Sequence, residues 1–167
     1  FAEFFARADT LRAFLESEGM KSGDRFAIAM RNNAEWLIGS TAAFLAGATV
    51  VPINSWGQAP ELAFAVNDCE ASWLLCDDQR AHMLDDLLPT ERRLVVYERS
   101  EPGSRRGVCF EDAISSDAPS EVTLPSAEEV CLILYTSGST GAPKGVIHCQ
   151  QALSQAVFNM MFTGMLT

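Results

Sequence analysis

Two patterns of apolar residues alternate along the chain, one with helical spacing and one made of short continuous runs. The first pattern comprises Phe4, Ala8, Leu11 and Leu15, separated by four, three and four positions. This spacing predicts a helix with one apolar face, which we expect to end near Gly19. The continuous run at residues 26–30 follows, and its length is typical of a buried strand.

The alternation continues to about residue 97. Three more helices are predicted: one capped by Asn32 or Asn33 and ending near Gly47, one beginning at Pro60, and one over residues 80–88. Their apolar positions are Trp36, Leu37, Thr41, Phe44 and Leu45 in the first, and Leu62, Phe64 and Val66 in the second. Four more strands are predicted at residues 49–53, 72–76, 93–97 and 130–134, and residues 98–107 read as a mobile loop. Such a pattern indicates an α/β fold, an open and mostly parallel sheet with helices on both faces.

Side chains within these elements are candidates for the core. Two cysteines fall inside apolar strands, and five aromatic residues lie at helical spacing. They are Cys76, Cys131, Phe4, Phe5, Phe14, Trp36 and Phe44.

Composition narrows the class of protein. With 167 residues, 48% of them hydrophobic, the chain is long enough to bury a core, and we expect residues 1–167 to form a single α/β unit. A net charge of -10 disfavours binding to nucleic acid. Five cysteines without a C-x-x-C pair, and only two histidines, disfavour a disulfide scaffold and a zinc site, so a cytoplasmic location is expected.

The ends of the chain and its uncharged stretches bear on targeting. The first residue is Phe1 and no signal-peptide pattern follows, so we expect the chain to be a piece of a longer protein. Residues 36–53 and 145–167 carry no formal charge, but glycines, a proline and amide side chains interrupt them. Neither stretch is therefore expected to cross a membrane.

Candidate chemistry is concentrated after the strand at residues 130–134. There the sequence reads Tyr-Thr-Ser-Gly-Ser-Thr-Gly-Ala-Pro-Lys-Gly-Val from Tyr135 to Val146. Glycines allow backbone N–H groups to turn toward an anion, hydroxyl groups donate further hydrogen bonds, and a lysine adds a positive charge. The segment therefore predicts a loop that binds a polyphosphate. Its candidate ligand-binding residues are Thr136, Ser137, Gly138, Ser139, Thr140, Gly141 and Lys144.

Other phosphate-binding motifs fit this segment poorly. A Walker A loop requires a hydroxyl residue directly after the lysine, where this chain has Gly145, and the G-x-G-x-x-G pattern is absent. Residues 145–148 resemble a strand, whereas both of those motifs continue into a helix. The alternatives are a flexible linker and, for Lys144, a solvated side chain that only closes a turn.

Residues 136–145 resemble the phosphate-loop signature of the adenylate-forming superfamily, which includes acyl-CoA synthetases, firefly-type luciferases and the adenylation domains of peptide synthetases. Residues 44–54 are similar to that family's second core motif, and residues 23–25 to the turn before its first strand. The resemblance implies that the chain is the first part of a large N-terminal AMP-binding domain whose remainder is absent.

The resemblance also implies an activity. A carboxylate attacks the α-phosphate of ATP, releasing pyrophosphate, and the thiol of CoA then displaces AMP. ATP, Mg²⁺, CoA and a small-molecule carboxylic acid are the implied ligands, and the loop would hold the β- and γ-phosphates. The catalytic lysine, the acyl pocket and the adenine site would lie beyond Thr167. We therefore expect no catalytic residue in this chain and no activity from it alone.

Some residues depart from the family or stay outside the proposed site. Where the family continues with a hydroxyl residue and a histidine, this chain has Cys149 and Gln150. His148 is expected to be an ordinary half-buried histidine, and no acid–base role is assigned to Asp77 and Asp78.

Residues 54–56, Asn-Ser-Trp, resemble synthetases for fatty or other lipid acids more than peptide-synthetase domains. Two alternatives stay open. One is the adenylation domain of a peptide synthetase, and the other is a non-catalytic module that binds a nucleotide or phosphate.

The last segment predicts a helix whose apolar side chains need a cover. From Gln150 onward it carries no Lys, Arg, Asp or Glu. One broad face would hold Leu153, Val157, Phe158, Met160, Met161 and Phe162. We expect segments beyond this chain to cover that face, and the chain alone either to self-associate or to leave the helix loose and exposed. Peripheral association with a membrane stays open.

Overall fold

A mostly parallel sheet forms the centre of the structure, a computed structural model that describes residues 1–89, 93–97, 107–115, 125–136 and 143–165. The helices are α1 (Ala2–Ser17), α2 (Ala34–Leu45), α3 (Ala59–Asp68), α4 (Asp78–Leu84), α5 (Phe110–Ala113) and α6 (Gln150–Met165). The strands are β1 (Arg25–Ala29), β2 (Thr49–Pro52), β3 (Trp73–Asp77), β4 (Arg93–Tyr97), β5 (Val108–Cys109), β6 (Val130–Thr136) and β7 (Lys144–Cys149). The predicted helices and strands are confirmed.

Local signals account for where the helices begin and end. The side chain of Asn33 caps α2 by accepting a hydrogen bond of 2.9 Å from the backbone N–H of Trp36. Beyond the helix, Gly47 has a φ of 72°, and a Cβ there would lie 2.8 Å from Oγ of Ser22. Glycine therefore suits both the backbone and the space at this turn. Pro60 lies in the first turn of α3.

The strand order is β5-β4-β3-β1-β2-β6-β7. Neighbouring strands are parallel, except that β6 and β7 are antiparallel. β1 is central, and the chain moves from it to β2 on one side before crossing to β3 on the other. The predicted fold class, a mostly parallel α/β sheet, is confirmed.

Helices cover both faces of the sheet, as predicted. One core contains Phe26, Ile28 and side chains of α1, α2 and α5. The other contains Ala27, Leu74 and side chains of α3 and α4. Adjacent residues of β1 thus enter opposite cores, because side chains alternate along a strand. Cys76 and Cys131 are fully buried, as predicted.

The predicted helix faces were partly wrong. Phe5 is 53% exposed and Leu37 55% exposed, so neither belongs to the core. In α2, the small residues Gly39, Ser40, Ala42 and Ala43 are buried instead, together with Ile38. Small side chains let the helix lie close to the sheet, which a count of large apolar residues misses. The other aromatics of the predicted cluster, Phe4, Phe14, Trp36 and Phe44, are partly buried against the core.

Two further differences concern short elements. α4 ends at Leu84, four residues before the predicted end at Leu88. Pro89 disfavours helical geometry at Leu88, and the backbone N–H groups of Leu87 and Leu88 both donate to the carbonyl of Leu84. β5 and α5 were missed because two and four residues are too few to show a period. Residues 98–106 of the predicted loop lie outside the described residues.

The predicted C-terminal helix is present as α6, and its apolar side chains are largely exposed. Met160 is 75% exposed and Phe162 66%. Self-association through this face stays a prediction. Among the described residues, no helix has the length and apolar character needed to cross a membrane.

Candidate functional site

Thr136 and Lys144 mark the two ends of the predicted phosphate loop. Thr136 is the last residue of β6 and Lys144 the first of β7, and the two are paired in the antiparallel register. Oγ1 of Thr136 donates a hydrogen bond of 3.4 Å to the backbone carbonyl of Lys144. The two ends of the loop are therefore neighbours in the sheet. The other five predicted residues, Ser137, Gly138, Ser139, Thr140 and Gly141, lie outside the described residues.

The segment after the loop was predicted to be a strand, and this prediction is confirmed. Residues 144–149 form β7, whereas a Walker A loop would continue into a helix. Both Thr136 and Lys144 are exposed. Lys144 makes no ion pair with any carboxylate in the part of the chain that the structure describes.

The loop begins at the edge of the sheet where the parallel strands end. β6 runs parallel to β2, with Leu132 opposite Val50, and β2 runs parallel to β1. Thr136 therefore lies at the same edge as the carboxyl ends of β1 and β2. Open α/β sheets bind ligands at this edge.

Tyr135, on β6 directly before the loop, forms a hydrogen bond with helix α3. Its hydroxyl group donates a hydrogen bond of 2.5 Å to Oδ2 of Asp68, the last residue of α3. On β7, Gly145 lies opposite Tyr135, and a Cβ there would lie 2.9 Å from Ile133 and 3.5 Å from the Tyr135 ring. Glycine leaves room for both side chains. Burial, then the hydrogen bond to Asp68, raise the pKa of the Tyr135 phenol above its ordinary value of 10.0.

This raised pKa predicts a loss of stability in alkali. The unfolded chain releases the phenol proton near pH 10.0, whereas the folded chain retains it. The free energy of unfolding should therefore fall as the pH rises above 10.0. We expect Tyr135→Phe to make that decline shallower, as measured by urea unfolding between pH 8 and about 11. Parallel curves for the two proteins would rule out this contribution.

Cys131 and His148 lie close together on the neighbouring strands β6 and β7. Sγ of Cys131 lies 3.5 Å from the backbone carbonyl of His148, and burial raises the pKa of that thiol. His148 is partly buried, as predicted, and pairs with Leu132, one position before Cys149 on β7. Within the described ranges, no group of three His, Cys, Asp or Glu side chains could hold a metal ion.

Asp77 has a structural role. Its carboxylate caps α4 by accepting from the backbone N–H of Arg80 at 2.9 Å, and it pairs with Nη1 of Arg80 at 3.0 Å. Arg80 is only 4% exposed, and its Nη2 donates to the carbonyl of Ser55 at 2.7 Å. This bond joins the segment after β2 to the start of α4.

Sequence reasoning missed two arginines at this edge. Arg80 follows β3, and Arg31 follows β1, where its guanidinium lies over the ring of Trp56. An arginine within a few residues of the carboxyl end of a predicted parallel strand is the signal that could have found them.

Comparison with known proteins identifies the class that this fold and loop define. Residues 1–165 match the family model described as AMP-binding enzyme, and the chain belongs to this family. The resemblance inferred from residues 136–145 is thereby confirmed.

Two curated relatives represent two branches of the family. Over 95% of its own length, the chain is 29% identical to the nonribosomal peptide synthetase NPS2 of Ceriporiopsis subvermispora, and it covers 6% of that protein. Over 84% of its own length, the chain is 28% identical to fatty acyl-CoA synthetase A of Dictyostelium discoideum, and it covers 23% of that protein. The chain thus spans less than a quarter of either relative.

A solved structure gives the same picture of the fold. The ATP-bound MatB of Rhodopseudomonas palustris matches 93% of the chain with a TM-score of 0.79 and 26% identity. The chain covers 30% of that protein.

Proposed function

We propose that the protein is an ATP-dependent acid–thiol ligase of the acyl-CoA synthetase type. It activates a carboxylic acid as an acyl-adenylate and transfers the acyl group to CoA. Residues 1–167 would be one α/β unit, the first part of its AMP-binding domain, and the enzyme would act in the cytoplasm. The chain alone is expected to be inactive.

The placement of Thr136 and Lys144 carries this proposal. The two residues face each other at the carboxyl edge of the sheet, at the ends of a segment rich in hydroxyl groups and glycine. A loop held in this way can direct hydroxyl groups, backbone N–H groups and one lysine at the same anion. The ATP-bound relative and the match to the family model support ATP as that ligand.

The chemistry assigned to the loop is electrostatic. When a carboxylate attacks the α-phosphate, negative charge develops on the departing pyrophosphate. Donors from residues 136–141 and the Lys144 ammonium would stabilise this charge. Mg²⁺ would be held largely by the phosphate oxygens of ATP.

A fatty or other lipid acid is the proposed substrate, on the resemblance of residues 54–56. The similarity to fatty acyl-CoA synthetase A supports this choice. Similarity to a nonribosomal peptide synthetase favours a second candidate, an adenylation domain that activates an amino acid.

Exchange of labelled pyrophosphate into ATP tests the proposal directly. The whole protein is assayed with a series of fatty acids, the common amino acids, and no acid, and residues 1–167 are assayed beside it. We expect exchange that depends on a fatty acid, formation of acyl-CoA when CoA is added, and only background from residues 1–167.

Three other results of this assay would contradict parts of the proposal. Exchange that depends on an amino acid would identify a peptide-synthetase domain. Binding of ATP without exchange for any acid would identify a non-catalytic module. Exchange by residues 1–167 alone would contradict their assigned inactivity.

A further inference from the structure

Arg31 lies where the topology of the sheet predicts a ligand. It follows β1, whose neighbours in the sheet are β2 and β3. After β1 the chain continues to β2 on one side of the pair β1–β3, and after β3 it continues to β4 on the other side. In doubly wound sheets, ligands bind beyond the carboxyl ends of strands at this divergence.

Trp56 covers the guanidinium group of Arg31. The guanidinium carbon lies 3.2 Å from the centroid of the Trp56 ring. Trp56 follows β2 at the same edge of the sheet, and it is 77% exposed. One face of the ring therefore contacts the cation while much of the side chain meets solvent.

Arg31 retains an unused hydrogen-bond donor. Its Nη1 is buried and has no hydrogen-bond partner among the residues that the structure describes. Stacking on an aromatic ring satisfies the charge of a guanidinium but not its N–H groups. A buried donor without a partner is unfavourable, so an oxygen that reached Nη1 would be bound with a gain in free energy.

The other arginine at this edge provides a contrast. Nε and Nη2 of Arg80 both donate to the carbonyl of Ser55, at 3.2 and 2.7 Å, and Nη1 donates to Asp77. The donors of Arg80 are thus engaged in holding the segment before Trp56. Arg80 positions that segment, whereas Arg31 has no carboxylate partner among the described residues.

We propose that Arg31 and Trp56 form a second anion site, separate from the loop at residues 136–145. The ligand is an oxyanion, either a phosphate group or a carboxylate group, which the planar guanidinium binds through paired hydrogen bonds. Trp56 covers the donor in the free protein and moves aside when the anion binds. The site concerns binding alone, so it does not depend on the proposed ligase activity.

Fluorine NMR of the protein labelled with 5-fluorotryptophan tests the site. Residues 1–167 contain three tryptophans, Trp36, Trp56 and Trp73, and Trp56→Phe identifies the signal of Trp56. Inorganic pyrophosphate and sodium octanoate are titrated separately. We expect one of them to shift the Trp56 signal saturably, and the active probe identifies the group as phosphate or carboxylate.

Matched variants separate this site from binding elsewhere. Arg31→Met should raise the Kd read from Trp56 at least about tenfold, because it removes a charge-assisted pair of hydrogen bonds. Arg31→Lys keeps the charge without the planar fork and should give an intermediate Kd. Arg25→Met removes the same charge at the opposite edge of the sheet, where Arg25 pairs with Glu70, and should leave the Kd unchanged.

Two results would overturn the proposal. One is a Trp56 signal that neither probe shifts, and the other is an equal Kd for Arg31→Lys and the unchanged protein. Loss of pyrophosphate exchange with the Trp56 response intact would reject the ligase function and keep this site.

Discussion

Replacing Phe26 by alanine is expected to lower the free energy of unfolding by about 3–5 kcal/mol. Phe26 lies on the central strand β1, is fully buried, and belongs to the core beneath α1 and α2. Removing its ring takes away apolar contacts and leaves a cavity that the flanking strands β2 and β3 cannot close without moving. Urea unfolding at neutral pH, monitored by circular dichroism, measures the change.

Phe5→Ala is the matched control. Phe5 is half exposed on α1, so the same substitution there should change the free energy of unfolding by less than about 1 kcal/mol. Equal losses for the two variants would contradict the burial that separates these phenylalanines.

Removing the hydroxyl groups of Thr136 and Thr140 together is expected to slow adenylation strongly. Each hydroxyl is assigned a charge-assisted hydrogen bond to the departing pyrophosphate, worth about 1–3 kcal/mol. That range corresponds to roughly 5- to 150-fold in rate for each bond. The whole protein with Thr136→Ala and Thr140→Ala is compared with the unchanged protein by pyrophosphate exchange at subsaturating ATP.

Thr10→Ala provides the control, because Thr10 lies on α1 and its Oγ1 donates to the carbonyl of Ala6. This variant should retain the unchanged rate. If the double variant also retained it, the role assigned to the two hydroxyl groups would have to be abandoned.

Most helices and strands could be predicted from local pattern. The spacing of Phe4, Ala8, Leu11 and Leu15 sets one side of α1, and Asn33 begins α2 through a bond to Trp36 three residues on. Caps and periodic faces act over a few residues, so the order of the residues alone contains them. β5 and α5 were missed because a pattern must repeat to be recognised, and their two and four residues span only about one period each.

One part of the candidate site could be predicted from local sequence, and another part could not. The phosphate-binding role predicted for the segment from Thr136 to Gly145 rests on residue types and their order, and its resemblance to a family required no coordinates. Arg31 and Trp56 are 25 positions apart in the chain, and no local pattern links them. Their contact exists because β1 and β2 are adjacent and end at the same edge.

The sequence by itself determined the α/β class, most of the elements and the prediction of a phosphate-binding loop. Tertiary structure decided the strand order, the burial of Gly39 and Ser40 in place of Leu37, and the arginines at the carboxyl edge. Local signals depend on backbone conformation and neighbouring side chains, whereas these features depend on which distant segments pack together. That choice is made by the free energy of the whole core, which no short stretch of sequence contains.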